Sequence, residues 1–111
     1  MSLTLHKATE RALEVREQFA VYEEKLHGRT WTTQEIMLGF LGDVGDLAKL
    51  VQGASGVRKF VDLDDKLAHE FADCLWSILV LAKRLDVDIE SAFVQTMNEL
   101  ELILREKNEQ L

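Results

Sequence analysis

Two acidic pairs with the same spacing, Asp43-x-x-Asp46 and Glu70-x-x-Asp73, are the residues of this chain best suited to chemistry. Each pair lies in a segment that reads as a helix. An i,i+3 spacing sets two carboxylates roughly 60° apart around the helix axis, with both heads on one side. Like charges that close repel, and two such pairs on facing helices repel more, unless a cation lies between them. Four oxygen donors converging from two helices suit a hard divalent ion such as Mg²⁺, with Mn²⁺ as a substitute. The chain holds five i,i+3 acidic pairs: Glu14/Glu17, Asp43/Asp46, Asp62/Asp65, Glu70/Asp73 and Glu106/Glu109. With 20 Asp and Glu in 111 residues, chance alone accounts for most of them as solvated helix faces. Position separates two. Asp43 and Asp46 flank an apolar stripe of Ile36, Met37, Phe40, Leu41, Val44, Leu47, Ala48 and Val51. Glu70 and Asp73 flank a stripe of Leu67, Phe71, Cys74, Leu75, Ile78, Leu81, Ala82 and Leu85. At the edge of a buried face a carboxylate is half desolvated, and a cation is worth more to it.

The elements that position these acids are helices. The chain has no proline and is 47% hydrophobic, with long runs of Ala, Leu, Glu, Lys and Arg. That composition predicts an all-α fold, and 111 residues make one domain, residues 1–111. Four helices are expected. The first runs from Thr4, its N-cap, to about His27, where Gly28 ends it. The second opens on Thr32-x-x-Glu35, a capping-box pattern, and runs to about Val51. Residues 52–61, with Gly53, Ser55 and Gly56, read as a loop. The third starts at Asp62 or Asp64 and runs to about Leu85, and Asp88 caps the fourth. Short connections make neighbours antiparallel, so a four-helix bundle-like protomer is expected. Gly39, Gly42 and Gly45 inside the second helix leave room either for a close helix neighbour or for a ligand beside Asp43 and Asp46. Trp76 lies off the core stripe of the third helix and reads as a contact between subunits of a homo-oligomer.

The formal net charge of −7 argues against a nucleic-acid polymer or an anionic membrane as partner. No stretch approaches the length needed to span a bilayer, and the N-terminus lacks a continuous apolar region of the secretory type. The single cysteine, Cys74, cannot form an internal disulfide and reads as a core thiol, which fits a cytoplasmic location.

The segment GFLGDVGDLAKLVQG, followed by KLAHEFADCLWSILVLAKRLDVDIESAF, resembles the MazG-like nucleotide pyrophosphohydrolases of the all-α NTP pyrophosphatase group. The resemblance covers roughly residues 30–100. Glu70 and Asp73 match the family's E-x-x-D helix directly, and Asp43 and Asp46 fall where its E-x-x-E helix belongs. Both glutamates of that first motif are aspartates here, and Gly42 replaces an acidic residue that often precedes it. The last helix carries Thr96 and Leu100 where many relatives have Lys and Asn.

The resemblance implies a helical homodimer or homotetramer with Mg²⁺ at Asp43, Asp46, Glu70 and Asp73. It implies hydrolysis of a nucleoside triphosphate to the monophosphate and pyrophosphate, in the house-cleaning of aberrant nucleotides. The metal would bridge phosphate oxygens and polarise the attacking water, or one of the four acids would take the water's proton. Lys49, Arg58 and Lys59 are candidates for the remaining phosphate charge, alongside Lys66, Lys83 and Arg84. Trp31, at the mouth of the second helix, either stacks a base or staples the helix start. His69 neighbours Glu70 on the chain but falls elsewhere on the wheel, and reads as a surface residue. Two alternatives stay open: a degenerate, non-catalytic module that binds a nucleotide or metal, and a purely structural helical bundle in which the acids are surface decoration.

Overall fold

One helix, α3, carries the rest of the molecule. The computed structural model describes residues 2–56 and 59–111, which form α1 (Leu5–His27), α2 (Thr33–Ala54), α3 (Leu63–Arg84) and α4 (Ile89–Glu109). No strand occurs among the described residues. α2 and α3 make the most extensive contact, α1 packs along another side of α3, and α4 touches only α1 and α3. Among the described residues no Cα of α1 comes within 8 Å of one in α2. The two flanking helices therefore leave a cleft between them, floored by α3.

The helix ends follow the local chemistry. Thr4 caps α1 by accepting from the Lys7 N–H, and Gly28 takes the left-handed conformation (φ 70°) that ends it. Thr32 and Glu35 form the reciprocal capping box of α2, and Arg29 grips both Glu35 carboxylate oxygens at 2.7 and 2.9 Å. α2 runs three residues beyond Val51, to Ala54, because Gly53 is a packing position. A Cβ there would come within 2.7 Å of the Phe60 ring and 3.1 Å of Leu63. Asp62 starts α3 in a left-handed conformation and makes no side-chain cap. α3 closes with Asp86 at φ 58°, and the Val87 N–H reaches the Ala82 carbonyl at 2.8 Å. This is a Schellman closure with aspartate in glycine's usual place. Asp88 then caps α4 through the Ser91 N–H.

The core lies at one end of the molecule, where Ala12 of α1, Ile36 of α2 and Leu79 and Val80 of α3 meet. Leu5, Ala8, Trp76, Leu81 and Ile89 pack around them. The four helices are consistent with the expected helical bundle, but α4 is its loosest member: none of its residues is buried, and Phe93, Met97, Leu100, Ile103 and Leu104 are exposed. The single-stripe readings of α2 and α3 are corrected. Met37, Leu41, Val44, Phe71, Leu75 and Ile78 stay exposed, while Cys74, Ser77, Leu79 and Val80 are buried. α3 is covered from two directions, by α2 and α1, so its buried surface is a broad arc and the outer edge of its apolar stripe is left uncovered.

A polar clasp joins the first turns of α1 and α4. His6 sits between Asp88 (Nε2–Oδ1 3.0 Å) and Glu90 (Nδ1–Oε2 2.8 Å), and the Leu5 N–H donates to Glu90 at 2.9 Å. The hydrogen bond to Asp88 raises the His6 pKa above its ordinary value; desolvation opposes it, and the charges of Glu90, Asp88 and Glu10 add to the rise. A raised folded-state pKa stabilises most below the unfolded value, about 6.5, and loses that contribution as pH rises through the raised value. Stability measured by denaturant unfolding should therefore fall between about pH 6 and 8 in the native protein. His6→Ala should flatten that dependence, and an unchanged profile in the variant would place its origin elsewhere.

Candidate functional site

Antiparallel packing of α2 on α3 brings the two acidic pairs together. One carboxylate oxygen from each of Asp43, Asp46 and Glu70 lies within 4.8 Å of the others. Asp43 and Glu70 are half-buried and face each other across the α2–α3 contact. Burial, then the neighbouring Asp73 charge, pushes the Asp43 pKa up; burial, then Asp43, Asp73 and Asp46, does the same to Glu70. Asp73 stands just outside the three-oxygen group and takes His69 Nε2 at 3.1 Å, an i,i+4 pair. His69 is a surface residue as expected, but its side chain turns toward the acids, one helical turn from its partner. Cys74 is buried behind the cluster, and burial followed by the Asp43, Glu70 and Asp73 charges raises its thiol pKa. It is a core thiol, as its helix position indicated.

The acids stand between two cavities of opposite character. On one side the cleft between α1 and α2 forms a cavity of about 270 Å³, walled by Phe19, Tyr22, Trp31 and Trp76 and reaching Asp43. On the other side an open groove of about 610 Å³ holds Asp46 and Glu70 together with Lys49, Lys66 and His69. Trp31 is brought to the cavity by its backbone, whose N–H donates to Glu23 at 2.9 Å and whose carbonyl accepts from Arg84 at 3.2 Å. Arg84 therefore anchors the α1–α2 loop to the end of α3 and is no free phosphate ligand. Its neighbour Lys83 lines a separate cavity with His6 and Asp88. Lys49 and Lys66 are the cations that reach the acids' groove. Lys59 is exposed and lines neither cavity, and Arg58 lies outside the described residues. Gly39 faces the Trp31 ring, 3.8 Å from where a Cβ would stand, whereas Gly42 and Gly45 have nothing within 4 Å. Close helix packing does not explain the latter two.

Trp76 is the clearest correction. It is not left exposed on the outer side of α3, as its helix position suggested, but is half-buried against the core. Its indole Nε1 donates to the Ala12 carbonyl at 3.0 Å and its ring pairs with Phe19 at 5.4 Å, so it forms the cavity floor against α1. Two residues that sequence reasoning passed over belong here. Arg16 and Glu23, seven apart on α1, form a buried ion pair with side chains 9% and 7% exposed. Burial opposes ionisation of Glu23, but the Arg16 and Trp31 hydrogen bonds and the Arg16 and Arg84 charges outweigh it and lower its pKa. The signal was present: Ala12, Arg16, Phe19 and Glu23 follow one another at helical 4-3-4 spacing, so two opposite charges sit in line with the buried face.

No family model, no curated protein and no solved structure matches this chain.

Like-charge crowding has a direct consequence for stability. Glu70→Gln offers Asp43 an amide donor while removing one charge. In the presence of a chelator its melting temperature should exceed the parent's by a few degrees, the size of roughly 1 kcal/mol in a domain of this length. An equal or lower value would show that the carboxylates do not repel across the α2–α3 contact.

Proposed function

We propose that this chain is a Mg²⁺-dependent nucleoside triphosphate pyrophosphohydrolase of the MazG-like kind, cleaving a triphosphate into monophosphate and pyrophosphate. The observation that carries this reading is the order of features along the molecule. An aromatic-walled cavity, then a carboxylate cluster, then a groove with two lysines matches the order of base, reacting phosphates and leaving pyrophosphate in such a substrate. The donor set fits a hard divalent ion: it is all oxygen, and two of its carboxyls are held above their ordinary pKa by burial and by neighbouring acids whose repulsion a cation would relieve. In this reading Asp43, Asp46 and Glu70 hold the ion with Asp73 beside them. The ion, when bound, supplies charge neutralisation and water activation at the α-phosphorus. The chain's own residues do the remainder. Trp31 and Trp76 flank the base, Lys49 and Lys66 meet charge on the leaving pyrophosphate, and His69 holds Asp73 in place.

Mg²⁺ should raise the melting temperature of the native protein, because an ion that binds only the folded state stabilises it by mass action, and Glu70→Gln should abolish the rise. Incubation with a panel of natural and oxidised nucleoside triphosphates should release pyrophosphate and not orthophosphate. Aspartate in place of glutamate keeps charge but shortens reach, and a displacement of about 1 Å can cost on the order of 10²-fold in rate. Asp43→Glu with Asp46→Glu should then raise kcat. Silence of both proteins on every nucleotide, with the Mg²⁺ response retained, would overturn the enzyme in favour of a non-catalytic binding module.

The same reading includes a homo-oligomer, a dimer or tetramer. Its support is the apolar face of α4 together with Leu41, Phe71, Leu75 and Ile78 on the outer side of α2 and α3, an extent of exposed apolar surface that a soluble monomer rarely carries. Sedimentation at micromolar concentration should show a species at a multiple of 12.7 kDa, and a single 12.7 kDa species would refute it.

A further inference from the structure

Both ring nitrogens of His6 are occupied by carboxylates of α4. Nε2 lies 3.0 Å from Asp88 Oδ1 and Nδ1 lies 2.8 Å from Glu90 Oε2. A carboxylate only accepts, so both nitrogens must donate, and an imidazole with two N–H groups is the charged imidazolium. A neutral ring satisfies one of the two partners and turns a lone pair toward the other. The clasp therefore belongs to one protonation state. The remaining charged groups around the ring are Glu10 on α1, Lys83 at the end of α3 and Asp86 in the turn that follows, so carboxylates outnumber the one cation. Half-exposed ion pairs of this kind are worth little to a helix held by its own burial. α4 is not such a helix. None of its residues is buried, and it is attached through Ile89 and this clasp. A cavity of about 400 Å³, lined by His6, Leu13, Leu79, Val87 and Ile89 among others, leaves the junction loosely filled. Asp88 also accepts from the Ser91 N–H at 3.1 Å, so α4 keeps its cap with or without His6.

We propose that His6 is a protonation-controlled latch on α4. As imidazolium it holds the first turns of α1 and α4 together. As neutral imidazole it lets α4, still helical, swing away from α1 on the Leu85–Asp88 turn, while α1, α2 and α3 keep their packing. The inference is independent of the chemistry at the acids. Its direction follows from the charges. Release separates the ring from Asp88 and Glu90, so the docked state binds the proton more tightly than the released one. Docking is strongest below the ordinary histidine value, about 6.5, and weakens as pH rises through the raised value of the clasp. One proton is exchanged, so the ratio of released to docked α4 grows by at most about tenfold per pH unit, and only inside that window. The Leu5 N–H, 2.9 Å from Glu90 Oε1, does not titrate and opposes release at every pH. Above the window α4 therefore alternates between the two positions.

The distance between α1 and α4 reads the latch. Glu24→Cys and Asn108→Cys, exposed positions toward the far ends of the two helices, carry a donor and an acceptor dye for energy transfer. Cys74 is buried and stays unlabelled, and dilution into unlabelled protein keeps the signal within one chain. At about pH 5.5 one narrow population should appear; at about pH 8 a second, released population should be roughly 3- to 10-fold more abundant than at the lower pH. Its midpoint should follow the His6 ring titration measured by NMR. A second pair, Glu24→Cys with Asp64→Cys on α3, should give the same distance at both pH values. His6→Lys, whose ammonium stays charged throughout, should show the docked population alone at both, and His6→Gln one mixture unchanged by pH. An α1–α4 distribution that does not move with pH in the otherwise native protein overturns the latch, whatever the variants do. A response that persists in His6→Gln overturns it too, since His27 or His69 would then be its source. A parallel change in the α1–α3 pair shows general loosening in place of a hinge, and is equally fatal.

Discussion

Three carboxylates held within 4.8 Å of one another at the contact between two helices are the constraint on which the structure turns. Each helix would place its acids harmlessly in water on its own. Packing α2 on α3 forces them together where Asp43 and Glu70 lose part of their hydration while Asp46 stays exposed, and apolar burial elsewhere holds the helices in register. That burial is modest. The main buried cluster is four residues from three helices, of which only Val80 is fully enclosed, and Leu50 and Cys74 are buried outside it. The raised pKa values of Asp43 and Glu70 follow from the same conflict: burial first, and then the neighbouring negative charges, make each carboxyl resist ionisation.

The cavity beside the acids follows from how α1 is mounted. α1 leans on α3 and stays clear of α2, and the gap is propped by large side chains in place of helix–helix contact. Trp76 and Phe19 fill its floor, and Trp31 closes its end. The loop that carries Trp31 is tied at both its N–H and its carbonyl, to Glu23 and Arg84. The buried Arg16–Glu23 pair thus fixes the loop. Removing one partner of such a pair strands a buried charge, at a cost of about 3–5 kcal/mol, so geometry at the cavity is firmly held.

At the other end, α4 is attached by its first turn alone, through Ile89 in the core and the His6–Asp88–Glu90 clasp. A helix of 21 residues with no buried position gains little from the protomer. The uncovered residues of α2 and α3 have the same character, and these surfaces together account for the small share of the chain's apolar residues that is enclosed.

Much of this molecule was legible in its residues. The helices, the Thr32–Glu35 box, the Gly28 stop and the Asp88 cap are local, decided within one or two turns by backbone hydrogen bonding and φ preference. The convergence of Asp43, Asp46 and Glu70 was legible as well, since i,i+3 spacing at the edge of an apolar stripe survives any antiparallel pairing of the two helices. What could not be read was which side of α3 receives which neighbour. A helical wheel ranks faces by hydrophobicity but does not count the helices that will cover them, so Trp76 looked like an outward residue until α1 arrived on that side. Arg16 and Glu23 were passed over for the same reason. A charge pair is buried only when tertiary packing removes water from both partners at once, and that is a property of three helices meeting, which no single helix encodes.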